Sequence, residues 1–115
     1  MVKKNEIRVV CGMTEAMLID KKTGRVTVVN KPVFRIGREK GYVDYLVEEP
    51  TVSRVHCVIC TKNDAYAITD SNSTNHTYVD GVCLPANVEQ PLRHGAVIGL
   101  GELQLVFYLR EGKVE

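Results

Sequence analysis

The sequence predicts an all-β domain, a sandwich or barrel of short strands. Short apolar, β-branched runs recur along the chain, and turn residues punctuate them every 6–12 residues or so. The last run alternates, with Leu103, Leu105, Phe107 and Leu109 on one face and Val106 and Tyr108 on the other. No segment sustains a helical period over about three turns.

The elements follow in order. Ala16–Asp20 and Arg25–Val29 are strands joined by Lys21-Lys22-Thr23-Gly24, a hairpin-sized link. Pro32 has no amide donor and breaks the ladder. Val33–Arg38 resumes it. Residues 39–52 read as loop, with Tyr45-Leu46-Val47 briefly extended. Val55–Thr61 is the most apolar run and predicts a buried strand. Asn63-Asp64 is a tight turn, and Tyr66–Asp70 is the hairpin partner. Ser71–Asn75 is a polar loop. Thr77–Val79 and Val82–Leu84 flank Asp80-Gly81, a type I′ turn signal. Pro85–Arg93 reads as irregular. Turns at His94-Gly95 and Gly99-Leu100-Gly101 bound Ala96–Ile98 and lead into Leu103–Leu109. Lys3–Glu6 and Arg110–Glu115 read as fraying ends.

The 115 residues suit a single domain over 1–115, with its core in about 16–109. Lys3 and Lys113 resemble linker edges, as in a domain that is part of a larger multidomain protein. The chain is 44% hydrophobic and 25% charged, which fits a globular domain rather than a disordered one. Fifteen basic residues nearly balance fourteen acidic ones. That balance argues against a broad nucleic-acid or anionic-lipid footprint but leaves room for a local anion site. No apolar stretch approaches the roughly 18 residues of a membrane span. Asn5, Glu6 and Arg8 interrupt any secretory signal after the basic start. The expectation is a cytoplasmic protein with no membrane insertion.

Cys57-Val58-Ile59-Cys60 has the spacing of a redox or zinc pair. In a strand, however, positions three apart point to opposite faces, so the sulfurs cannot share a metal. The expectation is reduced, packed cysteine, with no metal and no cofactor.

Three polar stretches hold the candidate binding chemistry. Gly37-Arg38 closes a strand, Ser53-Arg54 opens one, and Thr74-Asn75 lies in the loop before a hairpin. In a sandwich, loops gather at the two ends, so these three can meet. Arginine offers a rigid fork of donors suited to phosphate. Serine and threonine hydroxyls add donors, and asparagine can clamp a peptide backbone through both amide atoms.

These stretches resemble the forkhead-associated (FHA) domain. The family pattern has an apolar-x-Ile-Gly-Arg strand end, then Ser-x-x-His. An Asp-x-x-Ser-x-Asn-Gly-Thr-x-Val-Asn-Gly loop and hairpin follows, and a Leu-x-x-Gly-Asp-x-Ile-x-Leu-Gly segment closes it. Here these read Phe34–Arg38, Ser53–His56, Asp70–Gly81 and Leu92–Gly99. The resemblance implies a β-sandwich of about eleven mostly antiparallel strands that binds phosphothreonine peptides at one end. It assigns Arg38 and Ser53 to the phosphate, Arg54 as a further cation, and Thr74 as a nearby hydroxyl. Asn75 falls to the peptide backbone. His56 braces the site from behind, and Gly37 permits close backbone packing. The implied partner is a threonine-phosphorylated protein or peptide, either a Ser/Thr kinase or its substrate, in signalling or assembly.

The family glycine after the loop asparagine is His76 here, and the hairpin asparagine is Asp80. An imidazole there either crowds the peptide or, when protonated, donates to the phosphate, and Asp80 loses an amide donor and adds a negative charge near the site. The alternative is therefore an FHA-like interaction domain with weak or lost phosphate dependence. A third change, Ala96 for an acidic residue, touches only a turn. Arg38 has a bland reading as the partner of Glu39 or Glu48 in an ion pair. An enzymatic reading would pair Ser53 with His56 as nucleophile and base. No Gly-x-Ser-x-Gly elbow, lysine-bearing phosphate loop or paired acid cluster supports it. The expectation is a binding module, not an enzyme.

Overall fold

The computed structural model describes residues 14–111. Eleven strands lie among them: β1 (Thr14–Asp20), β2 (Val26–Val28), β3 (Val33–Gly37), β4 (Tyr45–Leu46), β5 (Cys57–Lys62), β6 (Ala65–Asp70), β7 (Thr77–Val79), β8 (Val82–Cys83), β9 (Gln90–Leu92), β10 (Val97–Leu100) and β11 (Leu103–Glu111). They form two sheets, ordered β9-β6-β5-β3-β4 and β2-β1-β11-β10-β7-β8. Neighbours run antiparallel except β3 and β4, which pair in parallel through Ile36–Tyr45 and Gly37–Leu46.

Alternation drives the packing. Phe34 and Ile36 of β3, Cys57 and Ile59 of β5 and Ile68 of β6 point inward from the first sheet. Leu18, Ile98, Leu100, Leu105 and Phe107 meet them from the second. Burying each large side chain contributes roughly 1.5–3 kcal/mol, so this interdigitated layer is the main source of stability. Phe107 also meets the Tyr66 ring edge-on, with centroids 5.2 Å apart.

Turn chemistry sets the registers. Asn63 and Asp64 both take positive φ, 50° and 64°, and close β5 onto β6 from Lys62–Ala65 to Cys57–Asp70. Asp80 and Gly81, at 50° and 81°, close β7 onto β8 as the type I′ signal requires. The non-glycine residues with positive φ in residues 14–111 are all Asn, Asp or His, the types that tolerate this region best. The loop after β3 is pinned by Asp44. Its carboxylate accepts from Arg35 N–H and Lys31 Nζ, each at 2.8 Å.

The structure departs from the sequence reading at several boundaries. Residues 85–93 contain β9, which pairs with β6 through Gln90–Ile68 and Leu92–Tyr66. Pro91 hid this strand, yet β9 lies at the sheet edge, where a missing amide is tolerated. Gly99 and Leu100 belong to β10, because small Gly99 packs against Tyr78 while Leu100 fills the core; the turn falls at Gly101-Glu102. Val55 and His56 precede β5 rather than begin it. Arg110 and Glu111 do not fray: they pair with Glu15 and Thr14, and Arg110 forms an ion pair with Glu15. Lys3–Glu6, Cys11 and Lys113 lie outside the described residues.

The cysteine spacing has the packing outcome. Cys57 is fully buried and Cys60 is half-buried, three residues along one strand. Burial pushes the Cys57 thiol up to about 12, and the nearby Asp70 charge acts in the same direction. Cys83 is exposed. A thiol reagent should therefore modify Cys83 in the native protein and reach Cys57 only on unfolding, as peptide mass mapping would show. Native labelling of Cys57 at the rate of Cys83 would contradict this packing.

Candidate functional site

Strand direction decides which loops meet. β3 ends where β5 begins, because the two are antiparallel through Ile36–Cys57. β6 runs back to the same end, since Cys57 also pairs with Asp70. β7 leaves from there, with Thr77 opposite Leu100 of β10. The segments after β3, before β5 and between β6 and β7 therefore share one end of the sandwich.

Backbone contacts fuse the first two segments. Arg38 N–H is shared between the carbonyls of Ser53 and Arg54, at 3.0 and 2.9 Å, and Glu39 N–H donates to Arg54 at 3.1 Å. Gly37 makes that approach possible. A Cβ at this position would stand 2.1 Å from the Arg54 carbonyl oxygen and 2.9 Å from Val55 Cα. Any side chain would have to push the Ser53–Val55 backbone away.

His56 connects the second and third segments. Its ring is fully buried. Nδ1 accepts from Ser53 N–H at 3.0 Å, and Nε2 stands 2.8 Å from the His76 carbonyl oxygen. An amide can only donate and a carbonyl can only accept, so these partners select the tautomer with its hydrogen on Nε2. Neither ring nitrogen bonds the Ser53 hydroxyl, so the nucleophile–base pair imagined from sequence does not form. His76 itself has φ of 65°, the conformation that the family glycine would supply. The substitution costs some backbone strain but leaves the carbonyl in place for His56.

Beneath the third segment lies a residue that the sequence reading used only as a motif boundary. Asp70 is almost fully buried. Its Oδ1 accepts from Ser73 Oγ at 2.5 Å and Thr77 Oγ1 at 2.6 Å, and its Oδ2 accepts from Ser73 N–H at 3.1 Å. Burial alone would raise its pKa. The Ser73 and Thr77 donors outweigh that, and the carboxyl titrates below its ordinary value. Paired donors at Asp-x-x-Ser-x-x-x-Thr spacing were the signal available in the sequence.

Above this base, Arg38, Ser53, Arg54 and Thr74 line one open cleft of about 480 Å3, together with Glu39, Val55, Ser71 and Asn72. The donors are arranged for an incoming anion. Arg38 Nε is spent on the Val52 carbonyl at 2.8 Å, which orients the guanidinium, and its terminal amino groups make no hydrogen bond within residues 14–111. Ser53 Oγ accepts from Thr74 N–H at 3.0 Å, so its own hydrogen remains to be donated. The ion pairs in residues 14–111 are Lys31–Asp44 and Arg110–Glu15, so the pairing of Arg38 with Glu39 or Glu48 is not formed.

Asn75 stands beside the cleft. Its Nδ2 donates to the Thr51 carbonyl at 2.8 Å, tying the third segment to the loop before Ser53. Ser71 and Asn72 line the cleft but were not singled out from sequence; the left-handed turn at Asn72, φ 58°, brings them there. Asp80 is not a charge beside the cleft. It lies at the far end of β7 from Thr77, where its carboxylate accepts from Val97 N–H at 2.9 Å. His94 is likewise a local fastener, accepting from Leu109 N–H and packing on Tyr108. No helix in residues 14–111 is long and apolar enough to cross a membrane.

A sandwich whose polar loops converge at one end is a loop-end recognition scaffold, and comparison with known proteins gives its family. The FHA domain profile matches residues 34–101. The chain belongs to the FHA domain family. No curated relative matches it by sequence. Among solved structures it is similar to Mycobacterium tuberculosis EmbR in complex with a low-affinity phosphopeptide. That match has 27% identity and a TM-score of 0.79, over 88% of this chain and 26% of that one. This chain therefore spans about a quarter of the EmbR chain. Full-length yeast Pml1p matches at 26% identity and TM-score 0.76, over 92% of this chain and 87% of that one. The MEK1 FHA domain in complex with a threonine-phosphorylated HOP1 peptide matches at 26% identity and TM-score 0.73, over 84% and 97%.

The depressed Asp70 pKa has a defined pH consequence. A folded value below the ordinary 3.8 stabilises the fold above pH 3.8, and that contribution disappears as pH falls through the folded value. Asp70→Asn should lower the denaturation midpoint at neutral pH. The gap to the unsubstituted protein should narrow as pH drops below 3.8. Urea titrations across this range would check it, and a gap that is constant with pH would contradict the assignment.

Proposed function

We propose that this domain recognises phosphothreonine in a partner protein, with Arg38, Ser53, Arg54, Thr74 and Asn75 as the contact residues and Gly37 and His56 as their supports. The observation that carries this reading is the convergence of Arg38, Ser53, Arg54 and Thr74, from separate segments, on one cleft. The phosphopeptide complexes among its structural relatives point to the same ligand class. FHA domains act as protein-interaction modules, and the reading here is an adaptor in signalling or assembly that follows a threonine kinase. It places the domain in the cytoplasm, where such kinases and their substrates meet.

A phosphothreonine brings about −1.5 to −2 charges and three acceptor oxygens. Arg38 takes the phosphate through its terminal amino groups, Arg54 adds a second cation, and the Ser53 hydroxyl donates its free hydrogen. Thr74 supplies a further hydroxyl, and Asn75 Oδ1 accepts from the peptide backbone. Each charge-assisted bond contributes roughly 1.5–3 kcal/mol, and together they must offset the ordering of a flexible peptide. The result is modest affinity that depends on the phosphate. The alternative of weak or lost phosphate dependence draws less support from His76 and Asp80. The His76 backbone adopts the glycine-like conformation, and Asp80 is engaged by Val97 away from the cleft.

Calorimetric titration with matched phosphothreonine, phosphoserine and unmodified peptides tests the reading. The phosphothreonine peptide should bind best, and Arg38→Ala should weaken it by about tenfold or more, as expected for one lost charge-assisted bond. Equal affinity for all three peptides, unaffected by Arg38→Ala, would sink the proposal.

A further inference from the structure

The charges that line the cleft do not all suit a phosphate. Glu39, next to Arg38 in sequence, is an acidic residue lining the same cleft. Its position is fixed by the backbone, since Glu39 N–H donates to the Arg54 carbonyl at 3.1 Å. Glu39 forms no ion pair with Arg38, Arg54 or any other residue in 14–111. A phosphate bound by the arginines would bring its own negative charge beside this carboxylate, a repulsion that a phosphate alone cannot relieve.

The turn that begins at Glu39 supplies a second feature. Tyr42 N–H donates to the Glu39 carbonyl at 3.1 Å, closing residues 39–42 over Gly41, whose φ is 92°. Tyr42 is left 66% exposed, the most exposed large hydrophobic residue in 14–111. A carboxylate and an exposed aromatic ring at the two ends of one short turn are groups that a guanidinium can pair with and stack on.

We infer that Glu39 and Tyr42 select phosphothreonine ligands that carry an arginine or lysine close to the phosphothreonine, and reject those with an acidic residue there. This rests on the phosphate-binding reading above and specifies its substrate class. The ligand's cation neutralises Glu39 while its phosphate neutralises the arginines, so the two charge pairs support one another. A flanking carboxylate or second phosphate meets Glu39 with like charge, which turns the residue into a filter as well as a contact.

The test uses phosphothreonine peptides that differ at one flanking residue, Arg, Gln or Glu, scanned through the positions on both sides. They are titrated against the unsubstituted domain, Glu39→Gln, Tyr42→Ala and Arg38→Ala. At one or more positions Arg should bind better than Gln, and Gln better than Glu, by about threefold per step, the size expected of an exposed charge pair. Glu39→Gln should abolish the ranking of Arg over Glu while raising affinity for the Gln-flanked peptide. Tyr42→Ala should reduce the gain from Arg alone. Phosphate-dependent binding, lost with Arg38→Ala but indifferent to flanking charge, overturns this inference and leaves the phosphate reading intact. A ranking that survives in Glu39→Gln also overturns it. Failure of every phosphopeptide to bind overturns both.

Discussion

The site depends on a buried imidazole with two backbone partners. His56 takes the Ser53 amide on one nitrogen and faces the His76 carbonyl with the other. Each bond alone would fix one loop against a strand. Together they fix two loops against each other, and the ring's complete burial keeps water from competing. Ser53 then holds the Thr74 amide through its hydroxyl, so a chain of contacts runs from His56 through Ser53 to the tip of the third segment. Gly37 closes the assembly from the other side by admitting the Arg54 carbonyl. Asp70 supplies the floor under Ser73 and Thr77.

This division of labour explains how exposed side chains can form a defined cleft. Arg38, Arg54, Thr74 and Asn75 all face solvent, and long exposed side chains ordinarily lose much of their interaction energy to motion and screening. Here the Arg38 and Thr74 amides are bonded to the Ser53–Arg54 segment, which His56 holds in turn, and Arg38 is also tethered through Nε to Val52. Ordering before binding lowers the entropy lost when a ligand arrives. The buried polar groups of His56 and Asp70 are spent within the scaffold.

Much of this was legible in the sequence because small sets of residues have few alternatives. A Gly-Arg at a strand end marks Arg38, and a Ser-x-x-His at a loop-to-strand junction marks Ser53 and His56, although the strand itself begins only at Cys57. Asp-Gly fixed the β7–β8 turn. The rest depended on contacts distant in sequence. Pro91 reads as a breaker until the free edge beside β6 is known. Arg110 and Glu111 read as a tail until β1 is seen to continue alongside. Asp80 reads as a charge near the ligand, yet strand direction carries it to the far end of β7. Ser71 and Asn72 join the cleft only through a left-handed turn that Asn permits without requiring. His76 reaches with its own backbone, at φ 65°, the left-handed conformation that the family glycine would supply.

The most direct test of the account is a map of backbone amide shifts in the 15N-labelled domain as a phosphothreonine peptide is added. The largest changes should fall on Arg38, Ser53, Arg54, Thr74 and Asn75, with Asn63-Asp64 and Asp80-Gly81 at the other end unmoved. Changes centred on those opposite turns, or equal changes with the unphosphorylated peptide, would contradict it.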